Sequence, residues 1–425
     1  MKAGMTRCLV TALLVCAMLG SAGAAKATVT FLVWGDTVRW QPILAGFAEK
    51  HPGLEVEMQS FGGNAASLQE ALFVRTAAGT PPDLALTHLQ THAENVEYGL
   101  YADLTPFVER DRVDLYRFFP KGGVDAFLSN GRVTGIPSQL STHLLWYNKT
   151  LLDADGMPYP SRDWRMTEEL VVNARKLTRD IDGDGIIDQW GFGSVNMYTM
   201  APLFWGTMMW TDDLRHSNLL NPKVREAYEW VHEIYHTRQI ASPQRGEETA
   251  FKNGKLAMMG GIQAMFGRFS GLSWDWDVEV WPIAPAGPVT YGSAAGISMA
   301  RGASHPEEAW TFLKYWMQPA VQEMAMTQGL SPAGLGALRD YFLKFDARAA
   351  HLDFTPDSFQ NRRAILESFE RTVVQPNPPG FADIQKLRNE HLIKIVTGES
   401  SPQVVLETLH PLLEAMLQEV WSRRR

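Results

Sequence analysis

Two segments of this sequence place metal-binding residue types at spacings that suit metal chemistry. His232-Glu233-Ile234-Tyr235-His236 is an H-E-x-x-H run. On a helix it sets two imidazoles on one face for zinc, with a glutamate beside them as general base. The glycine and third histidine of the longer zinc-peptidase motif do not follow His236, and Glu247 and Glu248 give no clear third-ligand helix. A secreted zinc metallopeptidase using His232, Glu233 and His236 therefore stays open as an alternative. The second segment, Asp180-Ile-Asp182-Gly-Asp184-Gly185-Ile186-Ile-Asp188, has carboxylates at loop positions one, three, five and nine and glycine at six. Alternate carboxylates converge on one hard cation, and the glycine permits the sharp turn. The expected site is structural calcium held by Asp180, Asp182, Asp184, Asp188 and the backbone carbonyl of Ile186. Position twelve is Gly191, so the bidentate glutamate is missing. A solvated acidic turn is the plain alternative. No G-x-S-x-G elbow, P-loop or dinucleotide fingerprint occurs.

The amino terminus indicates where such chemistry would take place. Lys2 and Arg7 precede an apolar run, Leu9–Leu19, and small–x–small cleavage sites follow at Ala22-Gly23-Ala24 and Ala25-Lys26-Ala27. Residues 1–27 are expected to be a cleaved secretory signal, because the apolar run is too short to span a membrane. A lipoprotein would use Cys16, but bulky Val15 stands where a small residue is needed. Both cysteines, Cys8 and Cys16, lie in the leader. The mature chain then has no disulfide, no thiol nucleophile and no cysteine-based zinc site. Losing Lys2, Arg7 and Lys26 takes the net charge from −8 to −11. So acidic a chain is a poor nucleic-acid binder, since phosphates require a positive surface.

The elements that would position a site read as two α/β lobes. Thr28–Val33, Leu54–Met58 and Asp83–Leu86 are strands, separated by helical stretches at Trp40–His51 and Ser67–Ala78. That order implies parallel strands with right-handed crossovers, and ligands in such lobes sit beyond the carboxyl ends of the strands. Here those ends are Trp34-Gly35-Asp36, Ser60–Asn64 and Thr87-His88-Leu89-Gln90. Asn130-Gly131 suits a tight hairpin. A strand then stops at Pro137, a polar patch follows (Ser138, Gln139, Ser141, Thr142, His143), and a second extended run covers Leu144–Tyr147. This pattern suits a chain crossing a wet cleft between lobes. Tyr291–Met299 is the expected return crossing. Pro306 opens a helix, and Ser401-Pro402 opens the last one. The 14 tryptophans are core residues for the most part, but an aromatic face also suits the C–H face of a sugar ring. Trp205, Trp210, Trp274, Trp276 and Trp281 are unranked candidates for that role.

Six motifs in order resemble the family-1 extracellular solute-binding proteins, the group of maltose-binding protein. They are Val33-Trp34-Gly35-Asp36, Ala78-Gly79-Thr80-Pro81-Pro82-Asp83, Gly135-Ile136-Pro137 through Tyr147-Asn148-Lys149, Phe251 through Met258, His305 through Leu313, and Pro379-Gly380-Phe381. The resemblance implies a class II periplasmic-binding-protein fold, with each lobe a doubly wound mixed sheet flanked by helices and the lobes joined by a hinge. Lobe 1 would comprise 28–137 plus 289–337, and lobe 2 would comprise 138–288 plus 338–425. It implies a periplasmic, monomeric receptor with no turnover. This receptor would bind a mono- or oligosaccharide and hand it to the transmembrane permease subunits of an ABC importer. The cleft residues it points to are Trp34, Asp36, Thr87, His88, Gln90, Gln139, Ser141, His143, Tyr198, Gln263 and Tyr291. Thr87 falls where maltose-binding protein has a stacking tryptophan, and Gly260–Ala264 lacks the expected aromatic, so maltose itself fits poorly. A charged ligand, a uronate or glycerol phosphate, is the second alternative, with Arg39 or Arg268 as its partner.

Overall fold

The structure is a computed structural model that describes residues 26–422 apart from 36, 63–64, 195–196, 243–245, 329, 331–332 and 345–351. Residues 1–25 of the expected leader 1–27 and the expected cleft carboxylate Asp36 lie outside the described residues.

β1 (Ala27–Val33) buries Val29, Phe31, Leu32 and Val33 completely. A strand apolar on both faces belongs inside a parallel sheet covered by helices. β1 pairs in parallel with β2 (Leu54–Ser60) and with β3 (Leu84–His88). Helices Gln41–Lys50 and Ala65–Ala77 supply the two crossovers. Asp83, 2% exposed, ties this unit together. Its Oδ2 accepts from the Thr30 amide (2.8 Å) and hydroxyl (3.0 Å), and its Oδ1 accepts from the His305 amide (2.8 Å) at the start of the Pro306–Trp316 helix. The N-terminus of that helix is thus capped from a strand over 200 residues away, and no side-chain cap comes from its own sequence.

The hairpin forms where expected: Asn130 and Gly131 both take positive φ (50° and 75°) between β4 (Leu128–Ser129) and β5 (Arg132–Val133). The following region differs from the expectation of two strands broken by a polar patch. β6 (Ile136–Asn148) is one uninterrupted strand of 13 residues. Its first half pairs antiparallel with β10 (Thr290–Met299), Ile136 opposite Ile297 and Thr142 opposite Gly292. Its second half pairs with β8 (Leu256–Ile262) on one side and β9 (Trp276–Val280) on the other. β7 (Trp190–Ser194) adds in parallel to β8, and β11 (Thr372–Val374) adds to β10. Serines, threonines and a glutamine stay in the strand because their backbone groups find partners in the ladder or, at the Thr142 amide, in the Gln263 side chain.

One mixed sheet, ordered β2-β1-β3-β10-β6-β8-β7, therefore runs through both lobes, and β6 and β10 carry the chain between them. The strands pack closely at this crossing. A Cβ built on Gly292 would stand 2.6 Å from the Ser141 carbonyl oxygen, so the position takes no side chain. Tryptophan mostly builds core: Trp146, Trp276, Trp281, Trp310 and Trp316 are all fully buried. Leu338 and Phe342 join the same buried cluster as Val29 and Phe31. Helices Phe381–Thr397 and Pro402–Ser422 pack on helices Met197–Phe204 and Pro222–His232 in the second lobe.

Candidate functional site

A cavity of about 190 Å³ lies where the two halves of the sheet meet. From the first lobe it takes His88, Leu89 and Gln90, at the carboxyl end of β3 and the start of helix Leu89–Glu97. This is the end at which α/β sheets bind ligands. The crossing strands contribute His143, Tyr291, Gly292 and Ser293, and the segment after β11 contributes Gln375 and Asn377. The second lobe closes it with Thr199, Met200 and Trp210, and with Phe381, Gln385, Arg388 and Asn389 from helix Phe381–Thr397. The Asn377 amide donates to the Leu89 carbonyl at 3.4 Å, so backbone and side chain meet across the gap. A wider cavity of about 790 Å³ adjoins it and shares Trp210 and Gln375.

The polar groups are set by local bonds. His88 caps helix Leu89–Glu97, its Nδ1 accepting from the Gln90 amide at 3.2 Å. That bond requires a neutral ring with the proton on Nε2, and burial likewise lowers the pKa of His88. Burial holds the His143 pKa down to about 4, with the Tyr291 backbone pulling the other way. Its ring meets the Tyr291 ring edge-on at 5.2 Å. Arg388 is 7% exposed, lies 5.2 Å from the centre of the Phe381 ring, and has its pKa lowered by burial. Tyr228, Tyr291 and Tyr198 surround it and favour its charge slightly. Trp210 is held by a bond from its indole N–H to the Pro376 carbonyl, 3.2 Å, and meets the Phe381 ring edge-on.

Comparison with known proteins agrees with this geometry. The model of the family described as bacterial extracellular solute-binding protein matches residues 34–323. The chain belongs to this family. Binding proteins of Brucella abortus and Brucella suis are each 23% identical to it over 435 aligned residues, spanning 97% of this chain and 98% of theirs. Among solved structures, UspC of M. tuberculosis is similar with TM-score 0.76 and 21% identity, covering 91% of this chain and 99% of its own. The sugar-binding protein MalE of Xanthomonas citri gives 0.75 and 20%, covering 92% and 98%. The ABC substrate-binding protein Lmo0181 of Listeria monocytogenes, solved with cycloalternan, gives 0.69 and 24%, covering 92% and 99%. The two-lobed solute-binding fold is thereby shown. Family membership makes the chain an extracytoplasmic receptor, and among the described residues no helix is long and apolar enough to cross a membrane.

Within this receptor, four of the residues expected from sequence line the cavity together: His88, Gln90, His143 and Tyr291. The other described ones stand apart from it. Thr87 points to the opposite face of β3 from His88, is 1% exposed, and bonds His92 Nδ1 at 3.0 Å. Gln263 is spent on the backbone: its Oε1 accepts from the Thr142 amide (2.8 Å) and its Nε2 donates to the Leu140 carbonyl (3.3 Å). It bridges the point where β6 changes partner from β10 to β8. Ser141 donates to the Ser293 carbonyl at 3.3 Å, and Gln139 lies opposite Ala295 in the ladder. Trp34 meets the His88 ring edge-on at 6.4 Å from outside the cavity. Tyr198 is buried behind it, beside Arg388. Arg39 is exposed away from the cavity, and Arg268 pairs with Glu248 at 2.8 Å. The cation that does line the cavity is Arg388. A sequence signal for it exists: Phe381, Ile384, Arg388, Leu392 and Ile395 form one buried stripe, and a lone arginine inside an apolar stripe needs a reason.

The two metal motifs lie elsewhere in the fold. The H-E-x-x-H run does not form a regular α-helical pair, because the helix ends at His232 and Glu233–Thr237 is a π turn. His236 Nε2 bonds the Ile395 carbonyl at 3.0 Å, and Glu233 pairs with Arg238 at 2.9 Å. Among the described residues no third ligand atom joins the two imidazoles. The acidic loop, in contrast, brings carboxylate oxygens of Asp180, Asp182 and Asp188 within 4.8 Å of one another. Asp184 is outside that group and accepts from the Ile186 amide at 2.7 Å. Two oxygens on opposite sides of one calcium ion stand about 4.6–5.2 Å apart, so the three carboxylates fit that ion.

Proposed function

We propose that this chain is the periplasmic receptor of an ABC importer, binding a carbohydrate in the cavity between its lobes and delivering it unchanged to the permease. One observation carries the reading: neither lobe encloses the cavity alone, and polar edge groups alternate there with the aromatic faces of Trp210, Tyr291 and Phe381. A sugar ring presents hydroxyls at its edge and C–H groups on its face, so this lining matches it. The volume of about 190 Å³ suits one ring, and the adjoining cavity of about 790 Å³ leaves room for a further unit. A ligand that touches both lobes favours the closed form by its difference in affinity for the two forms. The permease would read the closed surface of a monomer. Structural neighbours described as sugar-binding or solved with cycloalternan support the carbohydrate class.

The test uses protein recovered from the periplasm, with an intact mass showing the leader removed, in a thermal-shift and tryptophan-fluorescence screen. Some sugar or sugar derivative is expected to raise the melting temperature and change the Trp210 signal. Stabilisation by amino acids or peptides, with every carbohydrate silent, would sink the substrate class. The acidic loop is proposed to take Ca²⁺ through Asp180, Asp182 and Asp188, bracing the second lobe and taking no part in transport.

A further inference from the structure

Arg388 poses a problem that the receptor reading alone leaves unsolved. It is 93% buried by its 7% exposure, lines the interlobe cavity, and leaves its Nε without a hydrogen-bond partner. Among the described residues no carboxylate acts on it and no Asp or Glu lines the cavity of about 190 Å³, while Asp212 lines the adjoining one. Its neighbours are three phenols and the Phe381 face. A buried arginine normally sits opposite a carboxylate or phosphate, because an uncompensated buried charge is costly.

Two further orphans narrow the partner. Asn389 Oδ1 and His143 Nδ1 are buried without hydrogen bonds, and Asn389 follows Arg388 on the same helix. Asn389 Oδ1 can only accept, so it calls for a hydroxyl. Gln90, Ser293 and Gln385 add neutral polar edges. Among the described residues, a cavity lined by one fixed cation, no carboxylate and several hydroxyl-matching groups differs from one for a neutral sugar. It also differs from one for a bare inorganic anion, which would leave the acceptors unanswered.

We infer that the ligand is a polyhydroxylated anion, a sugar or polyol carrying one carboxylate or phosphate, with its anionic group seated on the Arg388 guanidinium. This rests on the carbohydrate-receptor reading and specifies its substrate class. Arginine suits both groups, since its planar fork donates to two oxygens at once. The cation is supplied by neither Arg39 nor Arg268, where sequence reasoning placed it.

The experiment compares matched pairs by calorimetry at fixed salt: glucose with glucuronate, galactose with galacturonate, glycerol with glycerol 3-phosphate, and glucose with glucose 6-phosphate. The anionic member of at least one pair is expected to bind at least about 100-fold tighter than its neutral counterpart, with affinity lost by a similar factor in Arg388→Met and only partly kept in Arg388→Lys. Response to the uronates or to the phosphates identifies which anion is seated. A ligand-free measurement accompanies it. Because the charge is unpaired without ligand, Arg388→Met should raise the melting temperature of the empty receptor, by about 2–4 °C. A drop in that temperature would show an arginine kept for structure and would overturn the inference. So would a neutral sugar bound equally well by wild type and Arg388→Met, which leaves the carbohydrate receptor intact. An amino acid bound in place of any sugar overturns the carbohydrate reading instead. Its loss in Arg388→Met would leave the anion seat standing.

Discussion

His92 and His143 both tie the stability of this receptor to pH. Burial lowers the His92 pKa to about 3 and the His143 pKa to about 4. His92 is enclosed by neutral groups: its ring nitrogens bond the hydroxyls of Thr87 (3.0 Å) and Thr134 (2.8 Å), and the rings of Tyr101 and Phe127 pack on it. Both histidines titrate near 6.5 in the unfolded chain. Above that pH neither state takes a proton and their contribution to stability is full. Below it, the unfolded chain binds protons that the folded chain excludes, so stability falls as pH drops from 6.5 towards the folded values near 4 and 3. At pH 5 each histidine removes roughly 2 kcal/mol. Denaturant unfolding at pH 7, 6 and 5 is expected to show this slope, with His92→Gln flatter than wild type. Equal slopes would refute the assignment. Arg388, on the other side of the same cavity, follows the opposite logic: its charge persists and waits for a partner.

At the scale of elements, local signals were read well where one short segment decides its own shape. The Asn130-Gly131 turn forms with both φ angles positive, as its residue types require. The opening prolines at Pro306 and Pro402 each begin a helix. The acidic loop is equally local, its carboxylates and glycines being contiguous, and three of its four carboxylates converge. Calcium is expected to raise the melting temperature by about 2–4 °C, and Asp182→Asn or a chelator to remove the gain, with affinity in the weak range of about 10⁻⁴–10⁻³ M. The glutamate missing at position twelve is the reason for that weakness. Gly191 occupies the position, and a Cβ there would collide with the Ala174 backbone. A melting temperature indifferent to calcium would leave only a hydrated acidic turn. Elements whose shape depends on distant partners were read less well. β6 runs unbroken through its polar patch because β10 pairs along it, with one register shift beside Ser138, and nothing within Ser138–His143 announces that partner.

At the scale of the molecule, one sheet shared by both lobes makes β6 and β10 the strands about which the proposed closure would turn. Closure then joins the β3 end, with His88 and Gln90, to helix Phe381–Thr397, with Gln385 and Arg388. Small-angle scattering is expected to show a smaller radius of gyration once the cognate ligand is bound, and no change in Arg388→Met at the same ligand concentration. Unchanged scattering in wild type would count against closure as the signal to the permease.

The order of six short motifs pointed to the family, because each motif is a local property of a single chain. The cavity was decided by tertiary structure alone. Its lining comes from β3, two crossing strands, three helices and the segment after β11, spread between His88 and Asn389. Alternation along a strand determined that His88 faces the cavity while Thr87 turns into the core, and the change of partner along β6 determined that Gln263 serves the backbone. Spacing along the sequence specifies which residues share a face of one element. Which of those faces a ligand meets is settled only when distant elements pack against one another.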